Sequence, residues 1–261
     1  MATSNTRVVV VSGGAQGIGL ESAMALSRQG ARVILLDLKQ DALQTAEKAI
    51  VATGGSARGY ALDVSDLSAV EAVASQIEAE YGPVDGLVTC AGVTSPAPAE
   101  NMSQAVWRRV LDVNLDGTFY CCQAFGRQML AKGKGSVVMI SSVLGLGGQA
   151  GRANYIASKW AVIGLVKALA IEWGTRGIRV NCVAPGPINT ALFQKLPEEF
   201  RTGIVLTRTP LARAAEPSEV AKAISFLLSD DASFITGAVL PVDGGYSSGY
   251  STHLSGKDLA A

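Results

Sequence analysis

Short apolar runs rich in β-branched residues alternate with helical patterns along almost the whole chain, and this alternation constrains the fold most. The runs at 7–12, 32–37 and 136–141 are continuously apolar in their interiors rather than alternating with polar residues. Continuous apolar runs are typical of parallel strands that are buried on both faces. Strand–helix alternation places helices on both faces of such a sheet. The sequence therefore predicts a single α/β domain with a doubly wound, parallel, seven-stranded sheet.

The same patterns give boundaries for the predicted elements. Strands are predicted at 7–12, 32–37, 57–62, 84–90, 136–141, 179–184 and 238–242. Helices are predicted at 17–29, 41–52, 66–81, 103–131, 154–173 and 217–229, with a break in the fourth near 112–114. We assign residues 1–246 to the domain, including a mobile, amphipathic segment over about 187–213. Residues 247–261 form a tail rich in Ser and Gly, for which terminal disorder is more typical than an intersubunit contact.

The amino-acid composition excludes several classes of protein. Of the 261 residues, 48% are hydrophobic and 17% are charged, which excludes intrinsic disorder. The 22 basic residues are balanced by 22 acidic ones, so the basic excess typical of a nucleic-acid binder is absent. The longest apolar stretch, 160–173, contains Lys167 and Glu172 and is too short to span a membrane. We expect a soluble protein that binds neither nucleic acid nor membrane.

The cysteine and histidine content limits the chemistry. Cys90, Cys121, Cys122 and Cys182 form no CxxC pair and lie in apolar runs, which favours buried reduced thiols and a cytoplasmic location. The single histidine, His253, lies near the C-terminus. One histidine excludes a His-ligated metal cluster, and it also excludes an ordinary nucleophile–His triad in the body of the domain. No metal is therefore expected.

A glycine-rich turn follows the first predicted strand and opens the first helix. In the segment 12–19, SGGAQGIG, Gly13 permits the turn, Gly17 allows close approach of a pyrophosphate, and Gly19 allows the helix to pack on the strand. Such an anion would face the free N–H groups at the positive end of the helix. A tight turn without a ligand is the alternative, because a glycine-rich turn alone is weak evidence.

Asp37, at the end of the second predicted strand, points to the cofactor. It follows Gly19 by eighteen residues, where an acidic side chain can accept hydrogen bonds from an adenosine ribose. The same carboxylate would repel a 2′-phosphate, and no Arg or Lys interrupts the turn to bind one. NAD is therefore expected rather than NADP. Lys39 is the nearby counter-argument, and we interpret it as a solvated charge at a helix entry.

Tyr155 and Lys159 are four residues apart in a helical pattern, so they share one face of the helix. A fixed ammonium beside a phenol favours the phenolate. This pairing could make Tyr155 a general acid–base group. Most YxxxK sequences are surface pairs without a function, so the pairing needs the other motifs beside it.

Taken together, these motifs resemble those of the short-chain dehydrogenase/reductase family over residues 5–246. The matching segments follow the family's order: SGGAQGIG at 12–19, Asp37, LDV at 62–64, CAG at 90–92, VNLDG at 113–117, ISS at 140–142, YIASK at 155–159 and NCVAPGPINT at 181–190. The resemblance implies a Rossmann fold and hydride transfer between NAD(H) and a secondary alcohol or ketone.

The resemblance also implies residue roles. Ser142 resembles the serine that orients the substrate oxygen, and Ser141 is the alternative for this role. Asn114 resembles the asparagine that holds a water linking Lys159 to solvent. With Tyr155 and Lys159 they form the implied catalytic set. The implied cofactor contacts are Gly13, Gln16, Gly17, Ile18, Gly19, Asp37, Asp63, Val64, Ala91, Gly92, Tyr155, Lys159, Pro185, Gly186, Ile188 and Thr190.

One departure from the family pattern is visible at Cys90, where the family usually has asparagine. The substitution removes a hydrogen-bonding amide, so we expect altered support of the fourth strand rather than lost activity. A reactive role for this thiol is not expected, because the sequence suggests no base beside it.

Substrate choice is expected to depend on 191–213 and on the loop before Tyr155. Four apolar side chains of the first segment either line a pocket or pack the segment down: Leu192, Phe193, Leu196 and Leu206. In the second, Gln149 or Arg152 could bind a hydroxyl or a carboxylate, or the loop could simply be solvated. The sequence does not separate a polyol from a steroid, a 3-oxoacyl thioester or a small ketone.

The segment 154–173 is apolar nearly all round, which requires burial on two sides. A second subunit is the expected partner, in a homo-oligomer such as a homotetramer, and deeper burial in the monomer is the alternative. Three functions remain open: an NAD-dependent alcohol dehydrogenase or ketone reductase, an NADPH-dependent 3-oxoacyl thioester reductase, and a non-catalytic NAD-sensing regulator.

Overall fold

The computed structural model describes residues 6–249, apart from the side chains of Leu192, Ile204 and Leu206. Its seven parallel strands lie in the order β3-β2-β1-β4-β5-β6-β7. The strands are β1 Val8–Ser12, β2 Arg32–Asp37, β3 Ser56–Ala61, β4 Gly86–Thr89, β5 Gly135–Ile140, β6 Ile178–Pro185 and β7 Val239–Val242. The predicted seven-stranded parallel sheet is confirmed. The predicted fourth strand was too long, because residues 84–85 and 90 lie outside β4.

Helices cover both faces of the sheet. They are α1 Gly17–Arg28, α2 Gln40–Ala52, α3 Leu67–Tyr81, α4 Gln104–Leu111, α5 Gly117–Lys132, α6 Ala153–Gly174, α7 Ala191–Gln194, α8 Glu198–Arg208 and α9 Pro217–Leu228. Buried side chains of α3, α5 and α6 form one core, and those of α1, α2 and α9 form the other. Neighbouring strand residues separate accordingly: Val10 joins the first core and Val9 the second. This is the doubly wound α/β arrangement that the continuous apolar runs predicted.

The strand order reverses beside β1, which pairs with β2 on one side and with β4 on the other. The connection that follows β1 leads to β2 on one side, and the connection that follows β4 leads to β5 on the other side. Because these two connections diverge, they leave a crevice at the carboxyl edge of the sheet. Ligands of open α/β sheets bind at such a point.

The predicted break near 112–114 is a wider helical turn. Residues Asp112–Asp116 form a π-helical segment between α4 and α5. The carbonyl of Asn114 accepts a hydrogen bond from the Thr118 hydroxyl at 2.8 Å. The helical axis thus continues, and Asn114 is fully buried. π-Helical turns of this kind often occur at functional sites.

The segment predicted as a mobile lid at 187–213 contains two helices, α7 and α8. An isolated bridge between Ile188 and Ala215 closes the base of the segment. The Thr190 hydroxyl caps α7 by accepting the Phe193 N–H at 3.3 Å. The sequence pattern therefore gave the position of this amphipathic segment but did not predict the helices α7 and α8 within it. Of the predicted tail, residues 250–261, including His253, lie outside the described residues.

Among residues 6–249, no helix combines the length and the apolar character needed to cross a bilayer.

Gly19 tests how tightly the glycine-rich turn is packed. A Cβ atom there would lie 2.1 Å from the carbonyl oxygen of Gly13, which is backbone and cannot rotate away. We expect Gly19→Ala to lower the free energy of unfolding by at least about 2 kcal/mol, measured by urea denaturation. Gly203→Ala in α8 is the control, because its Cβ would meet nothing within 4 Å. Equal stabilities of the two variants would contradict this account.

Candidate active site

A cavity of about 780 Å³ opens at the carboxyl edge of the sheet. It brings together most of the predicted site residues: Gly13, Gln16, Gly17, Ile18, Asp37, Asp63, Val64, Ala91, Gly92, Ser142, Tyr155, Lys159, Pro185, Gly186, Ile188 and Thr190. Two predicted residues do not line it. Gly19 lies under the turn against Gly13, and Asn114 is buried behind the wall.

The glycine-rich turn forms one wall of the cavity. Gly13 has a φ of +64°, and a Cβ there would lie 2.7 Å from the backbone nitrogen of Ala91. Only glycine fits this position without a shift of the backbone. Gln16 is the N-cap residue of α1 and supplies no side-chain cap. The helix N-terminus is therefore left without a side-chain acceptor at the cavity, as a bound pyrophosphate requires.

Asp37 ends β2 at the cavity, with both carboxylate oxygens held by the backbone. One oxygen accepts the Ala15 N–H at 3.1 Å, and the other accepts the Leu38 N–H at 2.8 Å. The negative charge is therefore fixed in position beside the glycine-rich turn. Lys39 lines the same cavity.

Asp63 and Val64 lie on the neighbouring wall, after β3. The Asp63 carboxylate accepts the Ser65 hydroxyl at 2.6 Å and lies 3.5 Å from a guanidinium nitrogen of Arg109. The Ser65 hydrogen bond is the main cause that lowers the pKa of Asp63, and Arg109 adds to it. Asp63 therefore stays ionised, with its charge compensated by these neighbours.

The Lys159 ammonium is directed toward Tyr155. Its nitrogen lies 5.6 Å from the centre of the Tyr155 ring and donates a hydrogen bond of 2.9 Å to the carbonyl of Ile140. Lys159 is only 5% exposed. The predicted helical spacing thus places the cation beside the phenol, at the end of β5.

The two serines after β5 have different partners. The Ser141 hydroxyl donates to the carbonyl of Lys159 at 2.9 Å, so its proton is used inside the protein. The Ser142 oxygen accepts the Leu144 N–H at 3.1 Å, which leaves its own proton free to donate. Of the two rivals, Ser142 is therefore the one with a hydroxyl proton available to a ligand.

Asn114 is held behind the cavity by three hydrogen bonds. Its side-chain oxygen accepts the Val93 N–H at 2.8 Å, and its amide donates to the Val93 carbonyl and to the Ser158 hydroxyl. A Cβ added at Gly92 would lie 3.4 Å from the Asn114 oxygen and 3.6 Å from the Lys159 nitrogen. Asn114 and Lys159 therefore border the same small space.

The segment after β6 closes the cavity beside the glycine-rich turn. Pro185, Gly186, Ile188 and Thr190 all line the wall. A Cβ at Gly186 would come within 2.8 Å of Asp243, so the chain passes close to the last strand here. A Cβ at Gly17 would lie 3.5 Å from the Thr190 methyl group, which brings this segment against the turn.

Cys90 lies partly exposed in the cavity wall, at the end of β4. Its backbone N–H still donates to the Ser12 carbonyl at 3.1 Å, so the missing asparagine amide does not detach β4 from β1. Although the residue as a whole is partly exposed, burial of its thiol group raises the pKa of Cys90 to about 12. A protonated thiol is a poor nucleophile, and a reactive role is not supported. All four cysteines are unpaired.

Several residues of the cavity were not predicted as site residues. They are Thr94, Arg109, Leu144, Lys195, Phe200 and Tyr246. They come from the segments that follow β4, β5, β6 and β7, and no spacing in the sequence joins them. Of the predicted lid side chains, Phe193 and Leu196 line the cavity, whereas the side chains of Leu192 and Leu206 lie outside the described part of the structure.

Comparison with known proteins agrees with this geometry. A family model described as enoyl-(acyl carrier protein) reductase matches residues 13–247. The chain is 42% identical to cis-4-hydroxycyclohexanecarboxylate dehydrogenase of Sinomonas cyclohexanicum, over 92% of this chain and 96% of the relative. It is 40% identical to 3-oxoacyl-(acyl-carrier-protein) reductase FabG of Thermotoga maritima, over 92% and 97%.

A solved structure extends the likeness to the backbone. The structure of an actinorhodin polyketide ketoreductase variant with NADPH has a TM-score of 0.89 and 33% identity, and the match covers 95% of this chain and 99% of that one. These matches in sequence and in backbone extend over nearly the whole chain. The chain therefore belongs to the short-chain dehydrogenase/reductase family, as an oxidoreductase of alcohols or ketones that binds a nicotinamide cofactor.

Proposed function

We propose that the protein transfers a hydride between NAD(H) and a secondary alcohol or ketone, with Tyr155 as the general acid–base. The observation that carries this proposal is the buried Lys159 ammonium, 5.6 Å from the centre of the Tyr155 ring and in the same cavity as the Ser142 hydroxyl. A cation fixed beside a phenol stabilises the phenolate, the form that accepts a proton from an alcohol.

Each residue of the proposed site has a separate role in the reaction. NAD, when bound, supplies the hydride acceptor, and the chain supplies position and charge. The Ser142 hydroxyl orients the oxygen of the alcohol, and the Tyr155 oxygen takes its proton. Lys159 holds the phenolate, because its ammonium is anchored by the Ile140 carbonyl and has little freedom to move away. In the reverse direction the same groups protonate the oxygen of a reduced ketone.

Asn114 takes part indirectly in this proposal. It borders the space beside Gly92 that also faces the Lys159 nitrogen. In this proposal, a water beside the ammonium would accept a hydrogen bond from it and pass a proton toward solvent. Asn114 would be a positioning residue, because it is buried and does not line the cavity.

NAD is favoured over NADP by the fixed carboxylate of Asp37. Its two backbone hydrogen bonds leave the charge beside the glycine-rich turn, where a 2′-phosphate would be repelled. The similarity to the 3-oxoacyl-(acyl-carrier-protein) reductase FabG of T. maritima supports an alternative function. In this alternative, the protein is a thioester reductase that depends on NADPH. A non-catalytic NAD sensor is disfavoured, because binding alone does not require the Ser142–Tyr155–Lys159 arrangement.

Tyr155→Phe tests the acid–base assignment. We expect turnover to fall by at least about 10³-fold, because the hydroxyl that exchanges the proton is gone while the ring and Lys159 remain. Turnover is followed by NADH absorbance over a panel of polyols, hydroxy acids and cyclic alcohols, including cis-4-hydroxycyclohexanecarboxylate. Binding of NADH, measured by fluorescence, should be retained.

Tyr120→Phe is the matched control, because Tyr120 does not line the cavity. It should leave turnover unchanged. Substantial activity of Tyr155→Phe would refute the assigned role, and activity with NADPH alone would favour the thioester reductase instead.

Asp37→Asn tests the cofactor preference. Removing the charge keeps the size of the side chain and should shift the ratio of kcat/KM for NAD over NADP toward NADP by about tenfold or more. Asp41→Asn, in the exposed first turn of α2, is the control. An unchanged ratio would show that another group, such as Lys39, decides the preference.

The exposed side of α6 supports the proposed homo-oligomer. Trp160 is 51% exposed and Ile171 is 81% exposed, although both belong to an apolar helix. Burial of these side chains against a second subunit would remove apolar surface from water. We expect size-exclusion chromatography with light scattering to give the protein in solution the mass of a tetramer. A clean monomer would contradict this proposal.

A further inference from the structure

We propose that Arg152 binds a carboxylate of the substrate, so that the alcohol oxidised here is a hydroxy acid and the ketone formed is an oxo acid. The inference rests on the proposed function, because it places this anion in the same cavity as Tyr155. It concerns the choice of substrate rather than the hydride transfer.

Arg152 occupies the part of the cavity that the reacting end of a substrate would enter. It is the N-cap residue of α6, three residues before Tyr155, and it lines the cavity with Gln149 and Leu144. The glycine-rich turn and Asp37 lie at the ends of other strands, β1 and β2. An anion at Arg152 would therefore be distinct from the pyrophosphate of a cofactor.

The guanidinium is held in place by the connection after β4. One terminal nitrogen donates to the hydroxyl of Thr94. The same two segments are joined by a backbone hydrogen bond of 3.0 Å from Ala97 to Gly151, and by a bond of 3.1 Å from the buried Asn154 amide to the Ser95 carbonyl. The position of Arg152 is thus fixed before a ligand binds, which lowers the entropic cost of binding.

Arg152 has no counter-ion among the described side chains. The carboxylates that line the cavity are Asp37, held by two backbone N–H groups, and Asp63, which pairs with Arg109. A guanidinium has five N–H donors, and the hydrogen bond to Thr94 uses one of them. The remaining donors suit the two oxygens of a carboxylate.

The charges near Arg152 favour an anion. Two lysines also line the cavity: Lys159, which is buried, and Lys195, which is exposed between α7 and α8. The acidic residues lie at the ends of β2 and β3. Because Asp37 and Asp63 have partners of their own, the charge of Arg152 attracts a negatively charged substrate into the cavity.

Apolar side chains also line the cavity and suit the hydrocarbon body of a substrate. They include Val93, Leu144, Phe193, Leu196 and Phe200. An apolar wall with one fixed cation matches a compact hydrocarbon that carries a hydroxyl at one end and a carboxylate at the other.

The test compares a carboxylate with its neutral analogue. Initial rates with NAD are measured for cis-4-hydroxycyclohexanecarboxylate and cis-4-hydroxycyclohexanecarboxamide in wild type, Arg152→Gln and Arg152→Lys. Arg28→Gln, an exposed arginine at the end of α1, is the control. Arg152→Gln should lower kcat/KM for the carboxylate by about 10- to 100-fold, mainly through KM, with less than a threefold effect on the carboxamide.

Arg152→Lys should recover part of the loss, because it restores the charge without the planar pair of donors. Arg28→Gln should behave as wild type. An equal loss for the two compounds would mean that Arg152 supports the structure of the loop, and this would overturn the proposal. An unchanged rate for the carboxylate would overturn it as well.

A binding measurement separates this inference from the proposed function. Cyclohexanecarboxylate and cyclohexanecarboxamide, which have no hydroxyl to oxidise, are titrated into the wild-type and Arg152→Gln enzymes with bound NADH. The carboxylate should bind the wild type at least tenfold more tightly than the variant. If no alcohol is oxidised but this difference persists, the proposed function fails and the carboxylate site stands. If the difference is absent, the carboxylate site fails, whatever the activity.

Discussion

The buried ammonium of Lys159 is the group on which the arrangement of the site depends. A charge removed from water is costly unless polar groups replace its hydration. At 5% exposure, Lys159 is held by the carbonyl of Ile140 at the end of β5 and lies beside the ring of Tyr155. A carbonyl compensates a cation only in part, and in the proposed function a phenolate at Tyr155 would supply the remaining negative charge. The packing of α6 on β5 and β6 would then act directly on the proposed chemistry.

The sheet and the helix that carries Tyr155 and Lys159 were predictable because each has a strong local signal. The apolar runs located β2 to the residue, and the spacing of Tyr155 and Lys159 placed both on one side of α6. Gly13 was predictable from the turn it must form. These features depend on neighbours in the sequence, and the physical constraint on each of them is local.

Other features depend on contacts between distant segments and had no local signal. Phe200 and Tyr246 reach the cavity only because α8 and the segment after β7 fold over the carboxyl edge. The π-helical turn at Asn114 appeared in the sequence only as a break. The difference between Ser141 and Ser142 in hydrogen bonding arises from the carbonyl of Lys159, an acceptor eighteen residues from Ser141. Sequence spacing favoured Ser142 but could not give the physical reason.

One helix end serves three purposes at once. Arg152, Tyr155 and Lys159 lie at the N-cap and in the first two turns of α6, so the groups proposed to bind, to exchange a proton and to hold the charge share one rigid backbone. Farther along the same helix, Trp160 and Ile171 face outward. An apolar helix that must be buried for much of its length is a firm support for a site at its N-terminus, because its rotation would expose the core residues Val162 and Val166. The burial of α6 therefore accounts both for its apolar composition and for the fixed positions of the polar groups at its N-terminus.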